Sequence, residues 1–163
     1  MKTIKYLTLS ALSCACILSC QPSQQQIKAS ADQQMLVNKA LDSAFRVLDD
    51  SYQTYHASTM DAALEGLNSY VEKAETQMQQ MESLSQNADL TKAICEKIAI
   101  IKAIAKTQAI EQVRIYKLPD TAFSDALRQR WDDLDSQVKK QLNEANSKIE
   151  SAYQNIQTNT KNK

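Results

Sequence analysis

A chain of 163 residues is long enough for one packed core and too short for two ordinary domains. Nineteen basic and nineteen acidic side chains cancel, so no strong field points to nucleic acid or another polyanion. One glycine and two prolines leave almost no tight-turn chemistry for a β-sheet protein, and the expected body is all-α.

The chain begins with Lys2 and Lys5, an apolar run from Tyr6 to Leu18, and the small Ser19, the three parts of an export signal. Thr8, Ser10 and Ser13 interrupt the run, which is too short to span a bilayer comfortably, so cleavage is expected rather than a retained transmembrane helix. Ile17-Leu18-Ser19-Cys20 resembles the lipobox of bacterial lipoprotein precursors, although Leu18 stands where Ala, Ser, Thr or Val is more usual. The resemblance covers the leader alone. It implies cleavage between Ser19 and Cys20 and acylation of Cys20, with two or three chains holding the protein to a membrane. Gln21, where an aspartate would direct retention in the inner membrane, implies the outer membrane with the body in the periplasm. The domain reading is therefore a signal peptide at 1–19, an acylated Cys20 with a polar tether at 20–31, one helical domain at 32–158 and a frayed tail at 159–163.

Loss of the leader removes Lys2, Lys5, Cys14 and Cys16. Only Cys20 and Cys95 remain, and a Cys20 tied up as a thioether leaves no internal disulfide and no thiolate cluster for zinc or covalent haem. The tether, Gln21 to Ala31, shows no hydrophobic period, and as flexible coil its residues span about 18 Å.

Four helical segments are expected next. From Asp32 to Ala57, Val37, Leu41, Ala44, Leu48, Tyr52 and Tyr55 mark one face, widened by Leu36, Ala40 and Val47. A break near His56 to Thr59 offers Ser58 as a cap. The second helix then carries an unbroken alternation of fours and threes at Met60, Leu64, Leu67, Val71, Ala74, Met78 and Met81, a coiled-coil-like seam. Asn87 is the expected cap of a third helix reaching Lys117, striped by Leu90, Ile94, Ile98, Ile101 and Ala105, with Pro119 ending it. Asp120 or Thr121 is the expected cap of a fourth helix whose face runs through Phe123, Leu127, Trp131, Leu134, Val138, Leu142, Ala145, Ile149, Ala152 and Ile156. From Thr121 to Ile156 it would be about 54 Å long, against about 38 Å for each of the first two. Short connections make neighbours antiparallel, so the expected fold is an up-down-up-down four-helix bundle with an overhanging C-terminal helix. An extended three-helix or hairpin coiled coil is the alternative.

Chemistry is sparse. His56, the single histidine, lacks the Glu-x-x-His partners of a di-iron bundle and reads as a turn residue. Cys95, near Lys92 and Lys102, reads as a boundary residue packed like a small apolar one. Met35, Met60, Met78 and Met81 fall at helical spacing and read as core filler. No G-x-S-x-G, H-E-x-x-H or glycine-rich phosphate loop is present, so no enzyme, cofactor or metal is expected. Gln108 and Gln112 fall where the third stripe should continue, near Tyr52 and Trp131. They build a polar-aromatic pocket, or a shifted register exposes them. The overhang places Ala152, Tyr153 and Ile156 in need of cover, a candidate docking face for another envelope protein. The leading expectation is a membrane-anchored, non-enzymatic envelope lipoprotein acting as an adaptor, accessory or immunity-type module. A small-ligand-binding bundle and a structural spacer are the alternatives.

Overall fold

The computed structural model describes residues 23–82 and 87–161. Ser19 and Cys20 lie outside the described residues, as do the rest of the leader and the last two residues of the tail. Among the described residues five helices follow one another, α1 (Gln24–Tyr52), α2 (Ala57–Glu82), α3 (Ala88–Lys106), α4 (Gln108–Tyr116) and α5 (Asp125–Lys161), with a 3₁₀ turn at Asp120–Ala122. No strand occurs among the described residues. No helix among them is long and apolar enough to cross a membrane.

Cross-helix bonds establish the directions. Lys102 meets Glu75 at 2.7 Å and Lys117 pairs with Asp61, which sets α3 and α4 antiparallel to α2. Glu96–Lys148 (3.1 Å) and Glu111–Arg130 (2.8 Å) set them antiparallel to α5. Tyr153 donates to Asp32 at 2.6 Å, and Tyr52 packs on Trp131, which sets α1 antiparallel to α5. The result is the expected up-down-up-down bundle, with α3 and α4 together as its third member.

The core is the set of stripes brought face to face. Leu41, Leu48, Leu67, Val71, Met78, Leu90, Ile94, Ile98 and Ile101 are all nearly inaccessible, and Val138 and Ile149 close the group from α5. Met60 and Met78 are buried and Met35 and Met81 pack against the core, filling space as their spacing indicated. On α1, Leu36 and Val47 are exposed, so the buried face is narrower than the sequence suggested.

Several local boundaries differ from expectation. The tether is not coil from residue 24 onward. Ser23 and Gln26 form a reciprocal capping box, and Ala31 and Gln34 are buried, so α1 starts eight residues early. Helix α2 starts at Ala57, which puts Ser58 inside its first turn rather than at its cap. The third helix breaks at Thr107, whose hydroxyl donates to the Ala103 carbonyl at 2.7 Å while its backbone leaves the helical region. The fourth begins at Asp125 rather than at Thr121, because the 3₁₀ turn intervenes and Ser124 Oγ accepts from the Leu127 N–H. At its far end α5 stays helical to Lys161, past the expected fraying point.

One buried charge crosses this core. Lys97 is fully inaccessible, and its ammonium uses all three donors, to Asn38 Oδ1 (2.8 Å) and Asp42 on α1 and to Asn146 Oδ1 (2.6 Å) on α5. Desolvation holds it below the usual lysine range, with Asp42 opposing.

Candidate functional site

The end of the bundle away from Ser23 collects most of the aromatic side chains. The last turn of α1 presents Tyr52, the following turn presents Tyr55, α4 contributes Tyr116, the segment before α5 carries Phe123, and the first turns of α5 supply Arg128, Trp131 and Asp132. The break at Thr107 restarts the third helix as α4, which carries Gln112, Val113 and Tyr116 into this end. Tyr52 and Tyr116 stack with ring centroids 5.4 Å apart, and Trp131 stands edge-on to both at 6.2 and 5.5 Å. Tyr55 meets Tyr116 at 5.8 Å and 72°. Such pairs add about 0.5–1.5 kcal/mol each beyond simple burial.

Between Tyr55, Tyr116, Phe123, Arg128, Trp131 and Asp132 lies a cleft of about 340 Å³. Tyr55 is 74 % exposed and has a φ of 55°, a left-handed conformation that costs a bulky residue about 1–2 kcal/mol. The turn holds this residue with its ring over Tyr116 rather than burying it, so the expectation that Tyr55 continues the core stripe of α1 is not met. Phe123 is half-exposed, with the Arg128 guanidinium 6.0 Å from its ring centre.

The cleft's lining carries one charge of each sign, Arg128 and Asp132, and Asp49 and Asp135 lie close enough to act on Tyr116. Burial raises the Tyr116 phenol, and Tyr55, Asp135, Asp49 and Asp132 add to the rise. Tyr52 is pushed up further, by deeper burial and by Asp49. Asp49 itself is raised by desolvation and by Asp135 and Asp50, against the pull of Lys139.

Of the pocket residues expected from sequence, the structure brings together Tyr52, Gln112 and Trp131. Gln112 is buried and accepts a long 3.5 Å bond from the Tyr52 hydroxyl. Gln108 is only half-buried and bonds to Thr107 at 3.0 Å, away from this group. The Trp131 indole N–H is buried with no hydrogen-bond partner among the described residues. Tyr116, Phe123 and Asp132 were missed as cleft residues, although Tyr116 follows Gln112 by four and so shares its stripe. His56 and Cys95 are both exposed, and Cys95 therefore does not pack as a small apolar residue.

The face expected to need cover is largely covered. Ala152, Tyr153 and Ile156 are half-buried and pack against the core, because the early start of α1 supplies a neighbour and Asp32 takes the Tyr153 hydroxyl. The overhang expected for the last helix is thus taken up by the lengthened α1 as far as Ile156. Among the described residues, no group of three or more His, Cys, Asp or Glu is arranged to hold a metal ion. The chain matches no family model, no curated protein and no solved structure.

Proposed function

We propose that the chain is a lipid-anchored envelope lipoprotein, without enzymatic chemistry of its own, that engages a protein partner through the tip of its bundle. The anchoring half rests on the lipobox-like Ile17-Leu18-Ser19-Cys20, with acylated Cys20 at the membrane and the outer membrane favoured by Gln21. The observation that carries the docking half is the placement of exposed apolar side chains. Among the described residues, the exposed large apolar side chains Val47, Tyr55, Ile110 and Phe123 belong to the half of the bundle away from the chain start, and Leu36 belongs to the other half. Aromatic groups held rigidly at a surface supply contact area at low entropic cost, which is why they dominate interface hot spots. The left-handed Tyr55 supports the same reading, since backbone strain persists where the surrounding fold holds a side chain in a useful place.

The test places a photo-crosslinking amino acid in turn at Tyr55, Phe123 and, as a control at the other end, Gln79, in cells carrying the full-length precursor. The expected result is one envelope protein captured from the two tip positions and absent from the control, with mass spectrometry finding acyl chains on the N-terminal Cys20 peptide. Equal capture from all three positions defeats the tip reading. An unacylated N-terminal peptide defeats the anchor. Tyr55→Asn, which tolerates the left-handed backbone, should abolish capture while changing stability by less than about 1 kcal/mol.

A further inference from the structure

The cleft at the tip has a chemical bias of its own, although its walls Tyr55 and Phe123 also belong to the proposed docking surface. Tyr55 meets Tyr116 at 72° and Tyr116 meets Trp131 at 81°, so adjacent rings stand nearly perpendicular and three rings of different orientation line the space. Phe123 adds a fourth ring, and the chain already places a cation near it, the Arg128 guanidinium at 6.0 Å. Asp132 brings a full negative charge to the lining, with Asp49 and Asp135 close enough to act on Tyr116. A volume of about 340 Å³ lies at the small end of ligand clefts, which run from about 300 to 1,000 Å³.

We infer that this cleft is a binding site for a small quaternary ammonium compound, its methylated nitrogen seated among Tyr55, Tyr116, Phe123 and Trp131 and its charge balanced by Asp132. A quaternary rather than a primary ammonium fits because the walls are mostly aromatic. A primary ammonium carries three N–H donors that must each find an acceptor on leaving water, whereas a trimethylated nitrogen carries none and loses little by entering an aromatic box. Arg128, 6.0 Å from the Phe123 ring centre, is the cation a ligand must compete with there.

The experiment uses the acyl-free body, residues 21–163, and the emission of Trp131, the single tryptophan of the chain. Far-UV circular dichroism and a thermal melt first establish that this body folds. Choline chloride is titrated at constant ionic strength against 3,3-dimethyl-1-butanol, which has the shape of choline without its charge. The expected result is a saturable change with choline and an affinity for the neutral compound lower by about tenfold or more. Asp132→Asn, a change at an exposed position that leaves the melt unaltered, should weaken choline about fivefold. No saturable response to choline overturns the inference. Equal affinity for the two compounds overturns it as well, since the cleft is then merely apolar. A choline response unchanged in both Asp132→Asn and Phe123→Ala places the binding elsewhere and overturns it too. None of these readouts depends on a protein partner, so failure here and failure of the docking proposal are separable.

Discussion

The two ends of the bundle solve the same packing problem differently. At the end where α1 begins, helices are pinned by directional polar contacts. Gln34 donates to Thr91 at 2.9 Å deep in the core, Asn87 reaches the Ile27 carbonyl at 3.0 Å, and Tyr153 meets Asp32. At the other end ring contacts join the ion pairs Lys117–Asp61 and Glu111–Arg130, Tyr55 and Phe123 stay open to solvent, and a left-handed residue is held in place. Hydrogen bonds across helices define register because a buried group displaced from its partner costs about 1–3 kcal/mol. Stacked rings slide and repack at smaller cost. The first end is therefore built for closure and the second for contact.

The largest test of this contrast compares two truncations of apolar side chains. Leu90→Ala at the closed end, where Leu90 is fully inaccessible, should cost about 3 kcal/mol in urea denaturation, through lost transfer energy and an unfilled cavity. Phe123→Ala at the open end should cost less than about 1 kcal/mol. Equal losses would mean that the tip is as much core as the base.

A smaller effect comes from the charge in the middle. With its ammonium held below the ordinary value of 10.5, the unfolded chain binds more protons than the fold between the lowered value and 10.5. Stability contributed by this group therefore rises with pH across that window. Replacing Lys97 by Met removes the desolvation cost and leaves Asp42, which is 46 % exposed, able to find water. The gain is partly offset because buried Asn38 loses its Lys97 partner, so the variant's advantage at neutral pH should not exceed about 1 kcal/mol, and it should shrink as pH approaches 10.5. Comparing the two proteins at each pH cancels the opposing contribution of Tyr52 and Tyr116, whose raised phenols favour the unfolded state above pH 10. An advantage constant with pH would show that the ammonium is not the cause.

The smallest effect belongs to Tyr153→Phe, which removes one exposed bond to Asp32 and keeps the ring. A loss of about 0.5–1 kcal/mol is expected, read from denaturation midpoints, together with earlier hydrogen exchange in the first turns of α1. Unchanged exchange there would separate the start of α1 from α5.

How far the fold was legible depended on whether one kind of signal carried an element. Helix α2 was read correctly along its whole seam, because no polar residue interrupts the alternation from Met60 to Met81. The start of α1 was not, because Gln24 to Ser30 hold no apolar stripe and the helix there depends on a capping box and on a neighbour in α5. The break at Thr107 carries no glycine or proline to announce it, only a hydroxyl that turns back on the preceding carbonyl. Lys97 stands between Ile94 and Ile101 in the same three-four rhythm as its neighbours, and it was overlooked because a lysine reads as surface until three acceptors from other helices are seen around it. The site was half legible. Tyr52, Gln112 and Trp131 follow from stripe positions, whereas Tyr55 and Phe123 owe their exposure to turn conformations that periodicity does not describe.

The early start of α1 has a consequence for reach. With Cys20 acylated as proposed, only the chain from Cys20 to Ser23 separates lipid from helix, a contour of about 10 Å at full extension, where a coil to residue 31 would have allowed several times that. The body is then a nearly stiff rod on a short pivot. With α1 about 44 Å long, the tip sweeps a dome of about 5 nm radius over the membrane, and whatever it touches must offer its surface inside that dome.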